Sequence, residues 1–310
     1  MPENVTSVQP GGGFGMQVEL LWGRLRREYL RWLRPEYVRR MAGLRRGDDQ
    51  GTPHEILDPR DLKYCRNRVN CHWTPADDPF RWRERLPFAR WGLAELQLAG
   101  WPLLALTLLL GWWWPPAGYL AAIPLALVLW FFRDPPRRVP QEPGLYVAPA
   151  DGRISEITEL ENDEFIGGPA VRIGIFLSIF NVHINRFPAA ARVIDLRYSP
   201  GEFRNALDPA SAQVNENMWI ALEEDQPPHR RLVVRQISGT IARRIVCDLR
   251  TGESLPRGAK LGMIKLGSRT ELILPRDGTI DILAEVGDAV HAGVTVLAQA
   301  SGQGVQGTTG

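Results

Sequence analysis

The stretch KLGSRTELILP, residues 265–275, has the pattern of a β-strand with a polar entrance. Its apolar tail, residues 272–274, stops at Pro275, and Gly267-Ser268 stands just before a charged segment. Gly and Ser are common in turns, so the pair alone is typical of a turn that leads into a strand. The alternative interpretation is that Ser268 is a chemically active residue, and the pair alone does not separate the two.

Similar short apolar runs fill the chain after Pro140, and one helix is expected around residues 202–213. Each run is bounded by Gly, Pro or Asp, which is typical of strands in a mostly β domain. We therefore expect an α+β, predominantly β fold, with a compact sandwich or barrel over residues 134–310. The ten strand candidates are residues 144–160, 170–179, 191–200, 218–224, 230–239, 242–249, 259–267, 270–275, 278–287 and 294–302.

Residues 101–132 contain no charged side chain, and Pro115-Pro116 divides them into two halves. Each half would span roughly 22–24 Å as a helix, against roughly 30 Å for the hydrocarbon core of a bilayer. We expect residues 96–133 to form a hydrophobic membrane hairpin that either crosses the bilayer or dips into one leaflet. A hairpin buried in a large soluble core is the alternative. The arginines that follow favour a cell-membrane protein with its β-rich domain on the cytoplasmic side.

Residues 1–95 form a basic extension whose function the sequence does not reveal. Within it, residues 24–46 carry nine Arg against two Glu, with apolar residues interleaved. Such a segment can lie on an anionic membrane surface, bind nucleic acid or simply be a solvated helix. The net charge of +2 does not discriminate between these, and we expect membrane attachment and no nucleic-acid partner.

The three cysteines are Cys65, Cys71 and Cys247. An odd count without a signal peptide argues against a disulfide framework and for a reducing compartment. Cys65 and Cys71, with His72 beside the second, do not have the spacing of a usual zinc site. No metal site is therefore expected.

Three residues of the β-rich domain combine reactive side chains with turn or strand positions: Asp151, His183 and Ser268. They are the parts of an activated nucleophile, in which a base takes the hydroxyl proton and an acid orients the imidazole. Asp151-Gly152 has the alternative interpretation of a hairpin turn. Strand alternation places His183 opposite its apolar neighbours, so the sequence does not require it in the core.

Six longer sequence motifs occur in the same part of the chain, and three of them contain these three residues. They are FFRDPPR (131–137), ADGRI (150–154), FLSIFNVHINRFP (176–188), GEFRNALDPASAQVNEN (201–217), QISGTIARRIVC (236–247) and LGMIKLGSRTELILP (261–275). In this order they resemble the phosphatidylserine decarboxylase family, in its shorter form with a Gly-Ser-Arg motif. The resemblance covers roughly residues 97–300 and leaves residues 1–95 outside the shared core. Arg186 stands where longer-form members have a second His. The resemblance therefore implies that His183 alone acts as the general base.

The resemblance implies a zymogen that cuts itself between Gly267 and Ser268. Ser268 Oγ would attack the carbonyl of Gly267, with His183 as base and Asp151 orienting it, and Ser268 would end as a pyruvoyl group. Chains 1–267 and 268–310 would stay together as strands of one sheet. A further homo-oligomer is left open.

The implied reaction is decarboxylation of phosphatidylserine to phosphatidylethanolamine and CO₂, through a Schiff base with the pyruvoyl cofactor. The implied partners are this lipid and the membrane, and Arg186 is a candidate for the phosphate head group alongside a structural role. One alternative is a pyruvoyl-dependent decarboxylase of a soluble amino acid, which residues 101–132 disfavour. The other is a membrane-anchored β domain that binds lipid or protein without catalysis.

Overall fold

The computed structural model describes residues 13–44, 46–47, 55–58, 60–61, 69–70, 76–205, 211–239, 244–247, 249–265 and 267–300. The described residues fall into two compact units, one within residues 3–135 and one within residues 136–310. Cys65, Cys71 and His72 lie outside the described residues. Cys247 is buried in a strand of the second unit.

The unit within residues 3–135 is mainly helical. Its helices are α1 Gly13–Leu33, α2 Pro35–Leu44, α3 Leu93–Trp113 and α4 Pro115–Phe131, with 3-10 turns at Arg81–Arg85 and Arg90–Gly92. Two short strands, β1 Arg46–Gly47 and β2 Val69–Asn70, pair antiparallel.

Part of the basic charge of α1 is used inside this unit. The Arg26 side chain donates to Asp58, and its Nη2 lies 2.7 Å from Asp61 Oδ1. Arg27 Nη1 bonds the same Asp61 oxygen at 3.1 Å. Burial alone would raise the pKa of Asp58, but Arg60 and Arg26 beside it hold that pKa well below its usual range. Arg26 and Arg27 are therefore structural, and Arg31 and Arg40 of the same segment also form ion pairs within the unit, Arg31 with Glu28 and Glu55 and Arg40 with Asp77.

Helices α3 and α4 form a hairpin joined by Trp114 alone. Proline suits the first position of α4 because it needs no N–H partner there. A Cβ at Gly118 would lie 2.5 Å from the Cα of Gly111, so the two helices approach too closely near the turn for a side chain at that position.

The lengths of these helices correct the expectation of two equal short halves. Helix α3 begins at Leu93, before the charge-free run, and its 21 residues span about 31 Å. By length and composition it is long and apolar enough to cross a membrane. Helix α4 has 17 residues and spans about 26 Å.

The unit within residues 136–310 is built from strands. They are β3 Leu145–Val147, β4 Gly152–Asp163, β5 Gly168–Leu177, β6 Ile184–Arg186, β7 Ala191–Ser199, β8 Asn217–Glu224, β9 Arg231–Ser238, β10 Arg244–Cys247, β11 Ser254–Leu255, β12 Lys260–Lys265, β13 Ser268–Pro275, β14 Ile280–Ile282, β15 Ala289–Val290 and β16 Val296–Ala300. Each of the ten predicted runs overlaps at least one of these strands, which confirms the mostly β fold class.

Three antiparallel sheets arrange these strands. The largest has the order β11-β7-β8-β9-β13-β5-β4-β15, and two three-stranded sheets have the orders β10-β12-β6 and β14-β16-β3. Strand β13 lies inside the large sheet, between β9 and β5. Since side chains alternate along a strand, Ser268 and Thr270 share one face and Arg269 and Glu271 share the other. Asn185 of β6 bonds Thr270 at 3.0 Å, so the Ser268 face looks toward β6.

The structure differs from two local expectations. Of the helix expected around residues 202–213, the described residues are helical only in α5, Ser211–Val214, and Glu202 forms an isolated bridge with Asn215. Residues 206–210 lie outside the described part of the chain. Asp151-Gly152 is not a hairpin turn, because β3 and β4 on either side of it belong to different sheets.

Candidate active site

Ser268 is the first residue of β13 and is completely buried. Its backbone is paired on one side with Leu177 and on the other with Ser238, so two neighbouring strands fix its position. Its Oγ has no hydrogen-bond partner among the described residues. Buried hydroxyl groups are usually bonded, so this oxygen is an exception within the described part of the chain.

Gly267 precedes this buried serine in the left-handed region of backbone space, with φ of 61°. A Cβ built on it would meet no atom within 4 Å. The need for glycine is therefore conformational rather than steric: an L-residue would cost about 1–2 kcal/mol there. The peptide bond between Gly267 and Ser268 thus joins a left-handed residue directly to an extended strand.

His183 lies just before β6 and is fully buried, although its sequence pattern did not require this. Its Nδ1 lies 2.9 Å from the carbonyl oxygen of Asn181. The backbone N–H of Gly267 donates to its Nε2 at 3.3 Å. A carbonyl only accepts and an N–H only donates, so these two contacts assign the proton to Nδ1 and leave the Nε2 lone pair facing the 267–268 segment.

Asp151 is buried immediately before β4 and has its own set of partners. Arg137 Nη2 donates to both carboxylate oxygens at 2.9 and 2.8 Å, and the N–H of Ala292 donates to Oδ1 at 2.8 Å. His291 Nδ1 is 3.6 Å from Oδ2. In this uncut chain the hydrogen bonds described above for both ring nitrogens of His183 go to backbone groups. The orienting role of Asp151 toward His183 stays a prediction.

A buried polar network that sequence reasoning missed lies two residues further along the chain from His183 and from Ser268. Asn185 Nδ2 donates to Thr270 Oγ1 at 3.0 Å, and Gln236 Nε2 donates to Asn185 Oδ1 at 2.7 Å. All three side chains are fully buried. Asn185 and Thr270 each stand two residues after His183 and Ser268, which put them on the same faces. The network therefore fixes the spacing of the strands that carry the histidine and the serine.

The opposite face of β13 carries a cluster of ion pairs. Glu271, which is fully buried, accepts from Arg269 Nε at 3.0 Å and from Arg235 Nη1 at 3.2 Å. Arg269 also donates to Glu156, which lies 3.3 Å from Arg172. Burial lowers the pKa of Arg235, and Glu271 opposes that shift. These contacts bind β13 to β9, β5 and β4 immediately after Ser268.

Arg186, the candidate for a head-group ligand, is also buried. Its Nη1 donates to the carbonyl oxygen of Gly258 at 3.0 Å. This contact is structural and ties β6 to the turn before β12.

Comparison with known proteins is consistent with this arrangement. The sequence profile of the family described as "Phosphatidylserine decarboxylase" matches residues 125–298, more than half of the chain. The "Phosphatidylserine decarboxylase proenzyme" of Rhodopirellula baltica is 51% identical over 238 residues, covering 77% of this chain and 98% of the relative. The proteins of the same name from Symbiobacterium thermophilum and Desulfotalea psychrophila are 44% and 40% identical, over 64% and 58% of this chain and 92% and 83% of each relative.

The similarity to the Rhodopirellula baltica protein also includes part of the N-terminal extension. The 238 aligned residues outnumber the 215 residues from 96 to 310, so the similarity reaches into residues 1–95. The shared region is therefore longer than the motifs over 97–300 indicated. With the profile match and these identities, the chain belongs to the phosphatidylserine decarboxylase family.

Proposed function

We propose that this chain decarboxylates phosphatidylserine to phosphatidylethanolamine and CO₂, using a pyruvoyl group made from its own Ser268. It would thus be a carboxy-lyase of phospholipid biosynthesis. The observation that carries the proposal is the meeting of three features at one peptide bond. Among the described residues Ser268 Oγ is buried without a hydrogen-bond partner, Gly267 has a left-handed backbone, and His183 Nε2 lies 3.3 Å from the Gly267 nitrogen. The names of the relatives support the choice of substrate.

In the first step of self-cleavage, His183 Nε2 takes the proton of Ser268 Oγ as the oxygen attacks the carbonyl carbon of Gly267. The C–N bond then breaks, the amide nitrogen receives the proton, and an ester links Gly267 to Ser268 Oγ. Removal of the Cα proton of residue 268 expels the Gly267 carboxylate and leaves dehydroalanine. Water converts this to the pyruvoyl group and ammonia, so atoms and charges balance.

The residues present fit this cofactor. Within the described part of the chain, the Oγ that must react makes no hydrogen bond that would first have to break, and Nε2 of His183 accepts from the Gly267 N–H through its lone pair. Once formed, the pyruvoyl carbonyl supplies an electrophile for the substrate amine and an acceptor for the electrons released with CO₂. His183, held by Asn181 through Nδ1, remains the group that can deliver and remove protons at this position. Asp151 is proposed to support its charged form.

The helical hairpin supports a membrane location for the reaction. Its outward side chains include Trp112, Trp113 and Trp114, each at least 65% exposed. Tryptophan is favoured at membrane–water interfaces. We propose that α3 and α4 anchor the chain in the cell membrane, with the β-rich unit on the cytoplasmic side. The phospholipid substrate can then react without leaving the bilayer.

The two alternative functions make different demands on the same chain. A decarboxylase of a soluble amino acid needs no apolar hairpin. A non-catalytic β domain needs neither the left-handed Gly267 nor the buried hydroxyl of Ser268.

Intact-mass spectrometry of the purified full chain in detergent tests the proposal. We expect two polypeptides, residues 1–267 and residues 268–310 with a blocked N-terminus, and CO₂ release from phosphatidylserine but not from free serine. Ser268→Ala should remain one inactive chain. Ser238→Ala is the matched control, because it alters the serine paired with Ser268 across the sheet and should still be cleaved. An active preparation that consists only of the uncut chain would refute the pyruvoyl mechanism.

A further inference from the structure

A tight turn with an apolar tip lies beside the candidate active site. The backbone N–H and the hydroxyl of Ser178 both donate to Asn181 Oδ1, at 2.9 and 2.7 Å, and the Asn181 N–H donates to the Ser178 carbonyl at 3.0 Å. Ile179 and Phe180 occupy the tip and are 43% and 60% exposed. Turn tips usually carry Gly, Pro, Asn, Asp or Ser. A large apolar pair at this position needs an explanation other than turn formation.

Both ends of this turn are attached to residues beside the proposed cleavage site. Leu177, just before the turn, is the backbone pairing partner of Ser268. The carbonyl of Asn181, at its other end, lies 2.9 Å from Nδ1 of His183. The turn is therefore continuous with the candidate active site at both of its ends.

A second exposed apolar pair borders the other side of Ser268. Phe203 and Val214 are each 38% exposed. The adjacent Asn215 is buried, and its Nδ2 donates to the carbonyls of Arg204 at 2.9 Å and of Ser238 at 2.8 Å. Because Ser238 pairs with Ser268, this segment is tied to the same end of β13.

These four residues are most of the exposed large apolar residues in the described part of the unit. Among its described residues, 136–205, 211–239, 244–247, 249–265 and 267–300, only Leu283 and Val286 also expose a large apolar side chain. Scattered exposed apolar residues are normal in proteins, whereas a group around a functional site marks an interaction surface.

We infer that Ile179, Phe180, Phe203 and Val214 form an apolar rim that enters the acyl-chain region of the bilayer. This inference rests on the proposed function, because a diacyl lipid must bring its head group to residue 268 while its chains remain in an apolar medium. A bilayer is favoured over a second protein copy as occupant, since the same chain exposes the apolar, tryptophan-rich hairpin of α3 and α4.

Photo-crosslinking tests the occupant without depending on catalysis. The full chain, reconstituted in phosphatidylserine-containing vesicles, carries p-benzoylphenylalanine in place of Phe180 or, as the matched control, of Val286. These two positions are 60% and 61% exposed. We expect a lipid adduct at position 180 that exceeds the adduct at 286 at least about tenfold. A crosslinked protein dimer at position 180, or equal lipid adducts at both positions, would overturn the inference.

A kinetic comparison completes the test. In Ile179→Ser/Phe180→Ser, the ratio of activity on vesicle-bound phosphatidylserine to activity on a soluble short-chain phosphatidylserine should fall at least about tenfold. The control Leu283→Ser/Val286→Ser should keep the ratio of the unsubstituted chain. An unchanged ratio in the first variant would overturn the inference. Absence of decarboxylation in the unsubstituted chain would instead refute the proposed function, whatever the crosslinks show.

Discussion

The ion pairs on the face of β13 opposite Ser268 allow us to predict which of two mutations lowers the stability of the unit more. The two mutations differ because each leaves a different net charge in the cluster. The cluster holds three arginines and two glutamates, namely Arg172, Arg235, Arg269, Glu156 and Glu271. Replacing one arginine by methionine leaves two cations facing two anions. Replacing one glutamate by glutamine leaves three cations facing one anion. We therefore expect Glu271→Gln to destabilise the unit more than Arg269→Met.

The contacts set the size of each effect. Glu271 is fully buried and bonds Arg269 at 3.0 Å and Arg235 at 3.2 Å, so its loss leaves two guanidinium groups short of a carboxylate. Breaking a buried pair in this way costs about 3–5 kcal/mol. Arg269→Met removes charged hydrogen bonds worth about 1.5–3 kcal/mol, while Glu156 keeps Arg172 at 3.3 Å. For a unit of this size these costs lower Tm by about 6–20 °C and about 3–12 °C.

Scanning calorimetry of the full chain in detergent measures both values. All variants carry Ser268→Ala, so that each sample is one uncut chain. Arg276→Met is the matched control, because Arg276 pairs with Glu159 in solvent, where both side chains are more than half exposed. Such a pair contributes at most about 1 kcal/mol. A larger fall of Tm for Arg269→Met than for Glu271→Gln would refute the charge-balance reasoning.

Three further predictions concern the site and the N-terminal unit. Gly267→Ala should slow self-cleavage in a gel time course, because a φ of 61° disfavours alanine; Gly278→Ala, at φ of 79° in open space, should cleave at the normal rate. Asn185→Ala should cost about 1–3 kcal/mol in chemical denaturation, since it leaves buried Thr270 and Gln236 without this partner; a cost near zero would show that the network is dispensable. Because its neighbours lower the pKa of Asp58, the stability it contributes is present above the unfolded pKa of about 4 and is lost as pH falls below that value. Thermal scans from pH 7 to 3 should show this loss in the natural chain and much less of it in Asp58→Asn.

Strand existence was predictable because it depends on local pattern. Each of the ten apolar runs bounded by turn residues overlaps at least one strand of the structure. The alternation of side chains along a strand is enough to place Ser268 and Thr270 on one face of SRTELILP and Arg269 and Glu271 on the other. The long charge-free run likewise predicted two helices interrupted at Pro115.

What the sequence could not provide was the partner of each residue over long range. Asp151-Gly152 has the local chemistry of a hairpin turn, but the strands on either side join different sheets, which only the global pairing decides. The contact of Asn185 with Thr270 spans 85 positions and depends on the packing of β6 against the large sheet. The burial of His183 depends on the same packing. The roles of Asp151, His183 and Ser268 stay predictions, and they could be named from the sequence because each residue lies within a motif that resembles the family.

The position of the proposed cut explains how the strand pairing of the β-rich unit can be retained after cleavage. The 267–268 bond immediately precedes the first residue of β13. Cleavage there removes no residue pairing between Ser268–Pro275 and the two neighbouring strands, β5 and β9. The ion pairs of Arg269 and Glu271 begin one residue after the cut and tie the new end to β9, β5 and β4. The same C-terminal segment supplies β15 and β16, which pair with β4 and β3 of the segment before the cut. Pairing already present in the uncut sheet would therefore hold the two proposed chains together, and the proposed cofactor would stay where folding places Ser268.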